Sequence, residues 1–155
     1  MTGAVLDMVT DRASTACLCI VLGALYPDRV PLFCTLIFLD LFSHWYQTYT
    51  SLVAGKGSHK GSTNWLVNVY YSRKVLFTVF AATECWYMSM YMMHFTPGPA
   101  LVLPLEPAVT ISLWPALLYA CTPLFLFKQL TNVVQLYVAM SDLVAEDERK
   151  RQKVG

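Results

Sequence analysis

The sequence predicts an all-α fold: a polytopic membrane bundle of four spanning helices. Three observations carry that prediction. Of the 155 residues, 56% are hydrophobic and only 14% charged, against roughly 45–50% and about 25% in an ordinary soluble domain. The apolar residues fall into long runs, and a span needs about 20 of them. The basic residues gather in alternate connectors, as they do when loops on one side of a bilayer hold the positive charge.

The spans expected from the apolar runs are Gly3 to Tyr26, Val30 to Ala54, Lys74 to Phe95 and Val109 to Met140. Tyr26-Pro27-Asp28-Arg29 reads as a tight turn, Gly55 to Arg73 as a polar connector, and Pro97 through Pro107 as a proline-studded one. Lys56, Lys60, Arg73 and Lys74 then lie on the same side as the tail's Arg149, Lys150, Arg151 and Lys153, whereas the opposite connectors carry only Arg29. The positive-inside rule therefore places both termini and the Gly55–Arg73 loop in the cytosol. The first span is instructive. Its uninterrupted apolar part, Ala13 to Tyr26, is too short to cross about 30 Å of hydrocarbon, so the turns bearing Asp7, Asp11 and Arg12 must reach the headgroup level.

A net charge of +1 leaves no basic face for nucleic acid. The five cysteines lie inside apolar stretches with no C-x-x-C pair, which predicts buried thiols rather than disulfides or a zinc site. The N-terminus has no basic region ahead of an apolar one, so no cleavable signal is expected. Gly55 to Gly61 lacks the spacing of a P-loop.

Polar residues recur within the spans at i, i+3, i+4, i+7 spacing, which places each set on one helical face. They are Asp7, Thr10, Asp11 and Ser14 in the first, Asp40, Ser43, His44 and Gln47 in the second, and Lys128, Thr131, Asn132 and Gln135 in the fourth. Three such stripes predict a shared polar cavity. Helix-to-helix hydrogen bonding accounts for Ser, Thr, Asn and Gln. Charged residues at mid-span cost roughly 2.5–3.5 kcal/mol to insert, which points to function for Asp7, Asp11, Asp40, Glu84 and Lys128. His44, a turn after Asp40, is expected to be a hydrogen-bonded bundle residue. Asp7 and Asp11 stand one turn apart, about 5–6 Å between Cβ atoms. Two carboxylates so close suit a hard divalent cation with open positions for phosphate oxygens, or a general base with a raised pKa.

Gly3-Ala-Val-Leu-Asp7-Met-Val-Thr-Asp11 resembles G-x(3)-D-x(3)-D, the second half of the CDP-alcohol phosphatidyltransferase signature. Leu6 to Arg12, Ala24 to Pro27, Asp40 to Trp45, Ser58-His59-Lys60 and Tyr70 to Arg73 are similar to the eukaryotic phosphatidylinositol synthase branch of that family, and the likeness runs through the whole chain. The resemblance implies a six-helix enzyme whose last four helices are the spans seen here. It implies transfer of a phosphatidyl group from CDP-diacylglycerol to myo-inositol with release of CMP, and a requirement for Mg²⁺ or Mn²⁺. Asp7 matches a metal ligand, and Asp11 a metal ligand that also accepts the proton of the inositol hydroxyl. Arg73, Lys60 and His59, on the same side of the membrane, are candidates for holding substrate; Lys56 and Lys74 read as charge anchors.

The D-G-x(2)-A-R half of the signature is absent ahead of Gly3. Half a metal site is expected to bind Mg²⁺ poorly, so the 1–155 chain is expected to be a partial domain, inactive by itself. Two other readings remain: a non-catalytic membrane protein that binds a full-length enzyme, and a transferase with a different alcohol acceptor. The expected setting is the endoplasmic reticulum membrane, with membrane lipid as neighbour and a homodimer left open.

Overall fold

A computed structural model describes residues 2–53, 72–103 and 109–154. Four helices dominate it: α1 (Thr2–Leu25), α2 (Val30–Val53), α3 (Arg73–Phe95) and α4 (Leu113–Val154), of 24, 24, 23 and 42 residues. Pro27–Arg29 forms a 3₁₀ turn between α1 and α2, closed by Arg29 N–H donating to the Tyr26 carbonyl. Proline suits the first position of that turn because its missing N–H would have no partner there.

The structure departs from the expected fourth span. Val109–Ser112 is a strand, β2, paired antiparallel with β1 (Ala100–Leu103), and the helix begins only at Leu113. The β-branched run Val-Thr-Ile favours the extended form. The hairpin is entered through Gly98 at φ +80°, where an added Cβ would come within 2.7 Å of the Trp114 ring. Leu113 N–H then donates to the Pro99 carbonyl. At its other end α4 carries the charged tail onward past Met140 as helix. Its length, about 63 Å at ~1.5 Å per residue, is twice the hydrocarbon thickness.

Among the described residues, two segments, Val5–Leu25 and Leu113–Gln152, are long and apolar enough to cross a membrane. The bundle is a closed ring: α1 packs on α2, α2 on α4, α4 on α3, and α3 back on α1. Directions alternate. Met8 meets Thr48 and Arg12 meets His44, so α1 and α2 run antiparallel, whereas Tyr26 donates to the Met90 carbonyl, so α1 and α3 run parallel. Asp40 meets Lys128 and Thr50 meets Ala139, which makes α2 and α4 parallel. The start of α1, the start of α3 and the charged end of α4 therefore share one end of the bundle.

The apolar core lies toward the other end, where Cys19, Leu22, Phe33, Leu36, Trp86, Tyr87, Met90 and Phe125 cluster. Trp86 stacks on Phe125 at 4.0 Å and donates its indole N–H to Thr122 Oγ1, so the ring's polar edge has a partner inside the bundle. All five cysteines are free thiols, but they are not all buried as the sequence suggested: Cys17 and Cys34 are exposed. Both stand on apolar outer faces, where hydrophobic neighbours in sequence do not mean burial in the bundle.

Candidate active site

Two of the three polar stripes converge. Asp40 and Ser43 on α2 and Lys128, Thr131, Asn132 and Gln135 on α4 are all buried. Their centre is Asp40, whose Oδ1 accepts from Lys128 Nζ at 2.6 Å, from Arg12 at 3.2 Å and from Asn132 Nδ2 at 3.2 Å. The side chains of Asp40 and Lys128 are only 6% and 4% exposed. A charge at that depth is stable only with such partners, because desolvation costs several kcal/mol per ion. Glu84 of α3, half-buried beside Thr15, lies within electrostatic range of both cations.

His44 extends the cluster, as a hydrogen-bonded bundle residue should. Arg12 NH1 lies 3.2 Å from His44 Nε2, and His44 Nδ1 lies 2.9 Å from the Asp40 carbonyl. A guanidinium only donates, so Nε2 accepts and Nδ1 carries the proton given to the carbonyl. Ser43 Oγ donates to the same carbonyl at 3.1 Å.

The third stripe does not join them. Asp7, Thr10 and Ser14 are exposed, and Asp11 is half-exposed. The α1 residue that does enter the cluster is Arg12, outside the stripe. The signal that marks it is the spacing 12, 15, 19, 22, a second face of α1 on which Arg12, Thr15, Cys19 and Leu22 are all buried. Arg12 also lies 4.0 Å from Asp11, NH2 to Oδ2, and its Nε has no hydrogen-bond partner among the described residues. Between α1 and α2 a cavity of about 470 Å³ opens, lined by Met8, Val9, Leu41, Phe42 and Trp45 with Arg12 and His44 among them.

Asp7 and Asp11 thus stand on an accessible face of α1, one turn apart, at the bundle end that also holds Arg73. Arg73 is the first residue of α3 and exposed. Lys60 and His59 lie outside the described residues. Among the described residues no third His, Cys, Asp or Glu joins the pair in a group able to hold a metal ion. The pair fits such an ion as two accessible hard oxygen donors of about six.

Fold and site together define an all-α bundle with membrane-length helices, a buried ionic centre and an acidic pair at one end. The chain is 41% identical to the CDP-diacylglycerol–inositol 3-phosphatidyltransferase of Schizosaccharomyces pombe, over 97% of this chain and 69% of that protein. It is 37% identical to the Homo sapiens protein of the same name, over 97% of this chain and 70% of the relative. The Drosophila melanogaster protein of that name is 35% identical, over 97% and 64% respectively. The chain belongs to the CDP-diacylglycerol–inositol 3-phosphatidyltransferase family. No protein-family model and no solved structure matches it.

Proposed function

We propose that this chain forms the Asp7–Asp11 part of an enzyme that carries out the transfer for which its relatives are named: a phosphatidyl group passes from CDP-diacylglycerol to myo-inositol, and CMP leaves. The inositol oxygen forms a new bond to the phosphorus that carries the diacylglycerol, the bond from that phosphorus to CMP breaks, and the hydroxyl proton goes to a base. The observation that carries this reading is the exposure of Asp7 and Asp11 along one face of α1 while Asp40 is buried against cations.

Asp7 and Asp11 would hold the divalent ion, Mg²⁺ or Mn²⁺, which supplies charge to the donor's pyrophosphate oxygens. Asp11, half-exposed beside the Arg12 guanidinium, would take the proton of the attacking hydroxyl. Arg73, exposed at the same end, would hold phosphate oxygens or an inositol hydroxyl, and Lys60 and His59 are candidates for the same task by their position in the sequence. The apolar outer faces of the bundle, with Phe77, Ile20 and Phe38 more than half exposed, suit contact with lipid. The chain is read as resident in the endoplasmic reticulum membrane with both termini cytosolic.

The test is CMP release, in lipid vesicles containing CDP-diacylglycerol, by the chain joined to the part of the Schizosaccharomyces pombe relative that it does not span, the unjoined chain being expected to release none. Release that needs both myo-inositol and Mg²⁺ or Mn²⁺ is the expected result. Release driven instead by glycerol phosphate or serine would replace the acceptor, and none with any alcohol would overturn the reading.

A further inference from the structure

Arg12 belongs to two groups of residues at once. NH1 lies 3.2 Å from both Asp40 Oδ1 and His44 Nε2, inside the bundle, while NH2 lies 4.0 Å from Asp11 Oδ2 at its rim. That last distance is too long for a hydrogen bond, so the coupling to Asp11 runs chiefly through the helix itself. Successive residues of a helix stand about 100° apart around its axis. Fixing the direction of Arg12 therefore fixes that of Asp11 and, a turn earlier, of Asp7.

Little else fixes these turns. Counted from the start of α1, Arg12 is the first buried side chain among the described residues; Val5, Leu6, Asp7, Val9 and Thr10 are exposed. Before it, the described residues of the inner face include half-buried Met8, whose sulfur accepts a 3.2 Å hydrogen bond from Thr48 of α2. Beyond it, Thr15, Cys19 and Leu22 are packed in the interior. The two carboxylates thus ride on an overhanging stretch of helix that the Arg12 and Met8 hydrogen bonds tie to α2.

We propose that Arg12 is a positioning residue: clamped on Asp40 and His44, its planar guanidinium sets the rotation of the first turns of α1 and keeps Asp7 and Asp11 in register for one divalent cation. A forked group suits this task because it meets two acceptors in fixed directions, which a lysine ammonium does not. Lys128 completes the clamp from α4 by holding the same Asp40 oxygen. The metal arm of the test rests on the function proposed above; the geometric arm does not.

The experiment uses the full chain in detergent with two disulfide probes. One joins Met8→Cys to Thr48→Cys, across the contact that reports the rotation of the overhang. The other is the native pair Cys85 and Cys121, whose neighbours Trp86 and Thr122 are hydrogen-bonded across α3 and α4, and it reports general loosening. In Arg12→Met the 8–48 crosslink is lost while the 85–121 crosslink persists, and Arg12→Lys falls between. In the chain without probes, Mn²⁺ titrated alone binds about 10–100-fold more weakly in Arg12→Met, the range seen when a residue supporting metal ligands is removed. An unchanged 8–48 crosslink, or equal loss of both crosslinks, overturns the proposal; if Arg12→Met does not fold, Arg12→Lys decides on the same criteria. If the unmutated chain binds no Mn²⁺, the metal role of the aspartates fails while the crosslinks still decide the clamp.

Discussion

Asp40 and Asp11 are the same residue type on neighbouring helices, and the bundle uses them in opposite ways. Asp40 is buried, with one oxygen accepting from Lys128, Arg12 and Asn132. Asp11 keeps 45% of its side chain exposed, with Arg12 no closer than 4.0 Å. A carboxylate already surrounded by donors has little capacity left for a substrate or a metal ion. One at the rim has that capacity but contributes little to holding the helices together. The difference separates an aspartate that builds the bundle from one free to take part in chemistry.

Substitutions can break that contrast, and the largest effect falls on turnover. In the chain joined to the rest of its relative, Asp11→Asn should lower transfer by about 10²–10⁴-fold, the usual contribution of a general base, with the melting temperature unchanged. A comparable loss of melting temperature in this variant would put Asp11 in the structural class with Asp40. Next comes Asp40→Asn, which leaves two buried cations without their anion. Breaking a buried pair from one side costs about 3–5 kcal/mol, read as a fall in thermal or denaturant midpoint. Adding Lys128→Met to Asp40→Asn should recover part of that loss, and strict additivity of the two changes would show that they do not interact. The smallest effect belongs to Glu146→Gln, whose partner Arg149 lies 3.6 Å away on the surface with 73% of its side chain exposed. Such pairs are worth about 0–1 kcal/mol, so its denaturation midpoint should barely move.

Much of this was legible in the residues themselves. The stripes Asp40, Ser43, His44 and Lys128, Thr131, Asn132, Gln135 announce an interior polar centre because mid-span polarity is costly unless shared. Long apolar runs mark the helices for the same reason. The hairpin was not legible: Val109 to Ser112 reads as the first turn of a span, since a short apolar run does not distinguish strand from helix. Arg12 was hidden by its neighbour. Asp11 belongs to a conspicuous acidic spacing, and the residue after it draws notice only when the 12, 15, 19, 22 face is read as the buried one. The direction of the first stripe was unreadable too, because periodicity tells which residues share a face but not what that face meets.

The shared oxygen of Asp40 also imposes a sequence of events on biogenesis. Translation delivers Arg12 first, Asp40 second and Lys128 last, so the α1–α2 hairpin already contains a neutralised pair when α4 is made. A lysine entering the bilayer on α4 would by itself incur roughly 2.5–3.5 kcal/mol. Here it meets the Asp40 oxygen, which accepts from its ammonium at 2.6 Å beside the Arg12 bond, so the last helix docks on an acceptor the first two helices have placed.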